Sequence, residues 1–318
     1  MLQLSNVTLP LDPAESFDHR FAAGEITVVL GANQSGKTDL CRLIAGLNTR
    51  ATGSLQLDGD DLGALNTRER PVSLVYQAFI NYPNLTVAEN IASPLRAQRV
   101  PDAERRVQVD DLARMLQISE LLDRHPHELS GGQQQRVAIA RALAKDARVL
   151  LLDEPLVNLD FKLREALESE LGELLRSTGK VVIWTSSDSR DAFALGDQVL
   201  LLDGGRKIQS GTPMDVYQHP ASLTAMALLA EPGINRFSRN GNDCALRPEH
   251  LDLEVDGNGG ARIDFRMTVT AFETNGDESF IHGHVEANDW VVRCRGIQPA
   301  TVGSTLALSA RSDDVQTF

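Results

Sequence analysis

The chain has 318 residues, 42 % of them hydrophobic, which is enough for two domains with a sizeable core and excludes a disordered chain. Lys and Arg number 31 against 44 Asp and Glu, a formal charge of −13, so a broad nucleic-acid interface is excluded as well. Cys41, Cys244 and Cys294 lack CxxC spacing, which argues against zinc and fits a reducing compartment. No apolar run reaches the roughly 20 residues of a membrane span. The opening MLQLSNVTLP has no charged-then-apolar leader pattern, so any membrane role is expected to be peripheral.

In chain order, Ile26–Leu30 (ITVVL) is a β-branched run that predicts a buried parallel strand. It feeds a glycine-bounded loop, GANQSGKT at Gly31–Thr38, and then a helix on the period of Leu40, Leu43, Ile44 and Leu47. Val72–Tyr76, Val149–Leu152, Val181–Thr185 and Gln198–Leu202 read as further strands, with helical patterns between most of them. That alternation predicts a mostly parallel α/β sheet. Residues from about 86 to 146 are mainly helical and read as an inserted subdomain.

Composition shifts near Glu231-Pro232-Gly233. Beyond it DFRMTVTAF, SFIHGHVEA and DWVVRCRG alternate as short antiparallel strands. The expected division is 1–232 and 233–318, the second part a small β-barrel or sandwich. His282 and His284 alternate on one of its strands. With no third plausible ligand nearby, a polar strand face is expected there rather than a metal site.

Three stretches carry chemistry. In the loop from Gly31 through Ala32, Asn33, Gln34, Ser35 and Gly36, backbone N–H groups can surround phosphate oxygens, and the following helix points its positive end at the same anion. Lys37 would reach β- and γ-phosphates and Thr38 would ligate Mg²⁺. Asp153 and Glu154 close a strand of apolar residues. The first carboxylate suits a Mg²⁺ held through water, the second an attacking water. In LSGGQQQR, Leu129–Arg136, Ser130 can cap a helix while Gly131-Gly132 lets backbone approach a phosphate closely.

These three motifs, in this order, resemble the ATP-binding cassette (ABC) family. The resemblance implies a RecA-like P-loop NTPase domain with an inserted helical subdomain, ATP and Mg²⁺ as ligands, and ATP hydrolysis coupled to transport. It also implies that Ser130, Gly131, Gly132 and Gln133 contact nucleotide held by an opposite subunit. Gln77 matches the family's glutamine loop, which senses Mg²⁺ and relays to the membrane partner, and Asp160 its aspartate loop. Tyr82–Asn90 (YPNLTVAEN) is similar to sugar-importer ATPases. Ala245-Leu246-Arg247-Pro248-Glu249-His250 resembles the entry to their C-terminal TOBE domain, an all-β OB-like fold.

The implied protein is the ATP-binding subunit of a bacterial importer for a sugar, polyol or related solute. It would sit at the cytoplasmic face of the inner membrane with two permeases and, indirectly, a periplasmic solute-binding protein, and with no nucleic acid.

Three positions and one segment depart from the family pattern. Ser187 occupies the place of the catalytic histidine, and a hydroxyl does not titrate near neutrality as imidazole does. Asp39 follows Thr38 where a hydroxyl is usual, Gln34 replaces a glycine, and Leu9–Pro13 holds no aromatic to stack on adenine. Phe17 and Phe21 are at strand spacing and are expected in the core. Groups offered to the chain's own nucleotide are thus eroded, although Lys37, Asp153 and Glu154 survive, while the stretch offered to a partner's is intact. A heterodimer with a second, complete ATPase is the expectation; a homodimer that tolerates serine, or a nucleotide sensor without turnover, is the alternative.

Overall fold

The computed structural model describes residues 1–48, 51–78, 80–145, 147–157, 161–253 and 261–318. The chain divides into two compact units, Met1–Asp215 and Val216–Phe318. The sequence reading puts the change at 232/233, where strand patterning begins.

The first unit opens with strands β1 (Leu2–Leu9) and β2 (Asp12–Phe21), then β3 (Ile26–Leu30), helix α1 (Lys37–Ile44), β4 (Thr52–Leu57), the short β5 (Asp60–Asp61) and β6 (Val72–Val75). Helices α2 (Val87–Ala97), α3 (Asp102–Met115) and α4 (Gly131–Ala144) follow. The unit continues with β7 (Val149–Asp153), α5 (Phe161–Ser177), β8 (Val181–Ser186), α6 (Ser189–Leu195), β9 (Gln198–Asp203) and β10 (Arg206–Gly211).

The central sheet runs β10-β9-β3-β8-β7-β6, parallel from β9 to β6, with β10 antiparallel to β9. Every residue of β3, β7 and β8 is buried, as a parallel sheet covered on both faces requires. Those continuous apolar runs are why the sequence locates these strands. A second, antiparallel sheet runs β2-β1-β4-β5. One core joins the two sheets through α1, with Leu2, Leu4, Phe21, Leu40, Ile44, Val29, Leu151 and Ile183 packed together. Phe17 and Phe21 lie in this core, as their spacing predicts.

The helix after β3 ends sooner than its periodicity implies. It stops at Ile44, Gly46 turns the chain with φ 76°, and Leu47 is exposed.

In the second unit, after α7 (Pro213–Gln218), which spans the division, come α8 (Leu223–Leu228), β11 (Asn235–Arg239), β12 (Asn242–Leu246), β13 (Arg262–Thr274), β14 (Glu278–Val285), β15 (Asn288–Arg295), β16 (Thr305–Arg311) and β17 (Gln316–Thr317). Their sheets run β11-β12-β17 and β15-β14-β13-β16, all antiparallel. The core gathers Leu246, Met267, Val269, Ile281, Trp290, Val292 and Leu308. Phe237, Phe265 and Trp290 pack ring on ring at 4.7–5.8 Å, and the indole N–H donates to the Arg236 carbonyl at 3.0 Å. His282 and His284 lie near separate carboxylates, Glu273 at 3.9 Å and Asp289 at 2.7 Å. Among the described residues no helix is long and apolar enough to cross a membrane.

Candidate nucleotide site

The site is built at the carboxyl ends of β3, β7 and β8, where open α/β sheets place their ligands. Leu30 at the end of β3 is in register with Ser186 of β8, and Asp153 at the end of β7 with Thr185 of β8. The loops after these strands therefore emerge side by side.

The loop leaving β3 has no room for larger residues. A Cβ on Gly31 would lie 2.3 Å from the Leu202 carbonyl oxygen and 2.4 Å from Ser35 Oγ. Gly36 precedes α1 at φ 106°, in the left-handed region that favours glycine. Lys37 is only 4 % exposed and turns back into the loop. Its Nζ donates to the carbonyls of Gly31 and Ala32 at 2.8 and 2.9 Å and pairs with Glu154 Oε1 at 3.2 Å. The other Glu154 oxygen accepts from Gln77 Nε2 at 3.1 Å. One carboxylate thus gathers the lysine of the first motif and the glutamine that follows β6.

Asp153 and Glu154 are held by a residue that sequence reasoning missed. Thr185, fully buried in β8, donates its hydroxyl to Asp153 Oδ1 at 2.8 Å and accepts from the Glu154 backbone N–H at 2.9 Å. Thr38 Oγ1 donates to the same Asp153 oxygen at 3.1 Å. Glu154 sits at φ 46°, a strained conformation for a residue with a side chain, and Thr185 helps to fix it. The available signal was a hydroxyl in an otherwise apolar buried run. Thr185→Val is expected to lower stability by about 1–2 kcal/mol, because it leaves the Glu154 N–H unpaired. Thr185→Ser should restore most of it. Urea unfolding of the three proteins measures this, and equal midpoints would mean the hydroxyl holds nothing.

Gln34, Ser35, Gly36, Lys37, Thr38, Asp39, Gln77 and Glu154, with Asn33 and Leu11, line one cleft of about 470 Å³. Its groups fit a polyphosphate with a hard divalent cation. Ser35 Oγ is buried without a partner, Lys37 supplies charge, and the Thr38 hydroxyl and Asp153 carboxylate offer adjacent oxygens of the kind Mg²⁺ prefers. Asp39 accepts from Asn48 Nδ2 at 3.4 Å. Leu11, at the turn between β1 and β2 and about half exposed, is the apolar group that this turn presents, where an aromatic was sought. Cys41 lies in α1 beneath the loop; burial, and then the nearby Asp153 charge, push its thiol pKa up, so it stays protonated and inert.

Ser187 follows β8 directly and is exposed. Its neighbour Asp188 caps α6, accepting from the Arg190 N–H at 2.9 Å. Arg164 of α5, held within its own helix by Glu168 at 2.7 Å, ties this turn down through Asp188 at 2.9 Å and Asp191.

Ser130, Gly131, Gly132 and Gln133 do not line the cleft. They form the start of α4, where a reciprocal cap operates: Ser130 Oγ accepts from the Gln133 N–H, and Gln133 Oε1 from the Ser130 N–H at 3.0 Å. Gln135 Nε2 donates to the Pro155 carbonyl, tying α4 to the segment after Glu154. Gly131 is exposed, and a Cβ there would meet nothing within 4 Å. The chain's own fold therefore does not require glycine at that position. Asp160 lies outside the described residues.

Comparison with known proteins agrees with this geometry. Residues 15–157 match the family described as ABC transporter, and residues 244–318 the TOBE domain. The chain is 34 % identical to the sn-glycerol-3-phosphate import ATP-binding protein UgpC of Rhizobium meliloti (strain 1021) over 279 residues, 82 % of this chain and 80 % of that protein. It is 42 % identical over 214 residues to the spermidine/putrescine import ATP-binding protein PotA of Aggregatibacter actinomycetemcomitans, covering 67 % of this chain and 57 % of that one. Among solved structures, a dimeric ATP-binding cassette in a post-hydrolysis state bound to ADP and Pi superposes with a TM-score of 0.58 at 29 % identity, over 67 % of this chain and 99 % of that one.

Proposed function

The chain belongs to the ABC transporter family, and from that premise we propose that it is the ATP-binding subunit of an importer for a glycerol-phosphate-like, polyol or sugar solute. Two transmembrane permeases and a solute-binding protein complete the proposed assembly, with this chain peripheral on the cytoplasmic face. Similarity to import ATP-binding proteins over most of both chains supports importer over exporter, and the TOBE domain supports the same group.

The residues divide the work as follows. Backbone N–H groups from Gly31 to Gly36 and the N-terminus of α1 receive the β- and γ-phosphates, and Lys37 balances their charge. Thr38, Asp153 and Gln77 would hold Mg²⁺, whose chemistry is to neutralise charge developing on the phosphate oxygens. Glu154 orients the attacking water and accepts its proton. Ser187 supplies a hydroxyl for the γ-phosphate without a titrating imidazole.

The second part of the proposal is asymmetry: the chain pairs with a different ATPase, lends its Ser130–Gln133 turn to that partner's nucleotide, and itself turns over slowly. One contrast supports it. The Ser130 turn is fully formed and its Gly131 is open to solvent, while the position directly after β8 holds Ser187, which is exposed and not among the residues lining the cleft. In the purified complex, Ser187→His is expected to raise turnover at least about tenfold if this site is limited by the missing imidazole. No change would favour a homodimer that works with serine.

A further inference from the structure

A second cleft, of about 540 Å³, lies wholly within the C-terminal unit, inside the roughly 300–1,000 Å³ range of small-molecule sites. Arg262, Arg293, Arg295 and Arg311 line it, with Glu249 and Asp252 as its carboxylates. In a chain of net charge −13, this local excess of positive charge needs a reason.

In the sheet β15-β14-β13-β16 the arginines form two pairs, one across β13 and β16 and one along the edge strand β15. Arg262 of β13 and Arg311 of β16 stand directly opposite each other in register, and like charges so placed destabilise a sheet. Arg262 is neutralised by Asp252 and also donates to Ser309 Oγ. Arg311 is exposed and makes no ion pair among the described residues.

The second pair repeats the pattern. Arg293 and Arg295 are two residues apart on β15 and so share a face. Glu278 stands in register with Arg295, yet its carboxylate goes to Arg293, accepting from Nε at 2.9 Å and Nη2 at 3.0 Å. Arg295 is left exposed, with no ion pair among the described residues. Each pair therefore presents one guanidinium anchored by a carboxylate and one with no ion pair among the described residues.

We propose that this cleft binds a small organic molecule carrying two phosphate groups, one received at the Arg262/Arg311 pair and the other at the Arg293/Arg295 pair. Guanidinium forks match phosphate oxygens two at a time. The cleft is much larger than one tetrahedral oxoanion, and its guanidinium groups fall into two separate pairs. The site uses no residue of the nucleotide cleft.

Isothermal titration of the full chain with fructose 1,6-bisphosphate tests this, in a Lys37→Ala background so that the phosphate loop is blinded. One equivalent should bind, and Arg295→Ala/Arg311→Ala should weaken it by at least about tenfold. Inorganic phosphate should bind at least about tenfold more weakly than the bisphosphate, because it can engage only one pair. Both arginines are exposed and make no ion pair among the described residues, so the double variant should keep the parent's thermal transition. Arg295→Gln/Arg311→Gln repeats the test if it does not. Absence of binding at about 10 mM, binding unaffected by the double variants, or equal affinity for inorganic phosphate would each overturn the proposal.

Discussion

Gly131→Asp in the assembled transporter should lower ATP turnover by about 10²-fold or more while leaving the chain itself folded. The two halves of that result have separate causes. Within the chain, Gly131 is the first residue of α4, exposed, with nothing within 4 Å of an added Cβ. An acidic side chain in a first helical turn also complements the helix dipole by about 0.3–1 kcal/mol. Thermal unfolding should therefore be unchanged or slightly raised. Against a partner's nucleotide the same carboxylate would face a phosphate. Two unit charges about 5 Å apart at an effective dielectric of 20 repel by roughly 3 kcal/mol. If that repulsion acts on the transition state, the rate falls by about two powers of ten. A folded variant with undiminished turnover in the complex would mean that the turn faces no nucleotide.

The second large effect is on the chain's own nucleotide. Lys37→Ala should weaken ATP binding to the isolated chain by about 10–10²-fold, the worth of a charge-assisted hydrogen bond of about 1.5–3 kcal/mol. Lys37 is buried and held in the loop by the carbonyls of Gly31 and Ala32. If the sites are unequal, the same substitution should reduce turnover of the complex much less than Gly131→Asp does. Fluorescent-nucleotide binding to the isolated chain and ATPase assays on the complex separate the two quantities. Equal losses from both substitutions would point to two equivalent sites.

The legible parts of this molecule are those where one physical signal dominates. β3, β7 and β8 announce themselves because burial on both faces makes them unbroken apolar runs. Gly31 and Gly36 stand where backbone geometry and a 2.3 Å contact leave no alternative. Of the hairpin β1–β2 the sequence reading found only the strand spacing of Phe17 and Phe21, for equally physical reasons. In β1 the alternation of Leu2 and Leu4 is interrupted before Val7 by a register shift at which Asn6 takes φ 50°. β2 is a sheet edge whose residues are mostly exposed, so its pattern is faint. Leu47 carried the helical period past a glycine turn that ended the helix.

Thr185 was illegible for another reason. Its partners, Asp153 and the Glu154 N–H, are adjacent to it only across the strand register, not along the chain. Leu11 likewise reaches the cleft only because the hairpin turn brings it there. Residue types and spacing found most of the groups that line the cleft. The groups that hold them in place needed the fold.

Subunit composition tests the asymmetry most directly. The complex would be purified gently from membranes through a tag on this chain and weighed intact by native mass spectrometry. One copy of this chain, one different ATPase with a histidine at the position of Ser187, and two permeases is the expected composition. Two copies of this chain with two permeases and no other ATPase would contradict the asymmetry and place Ser187 in both sites.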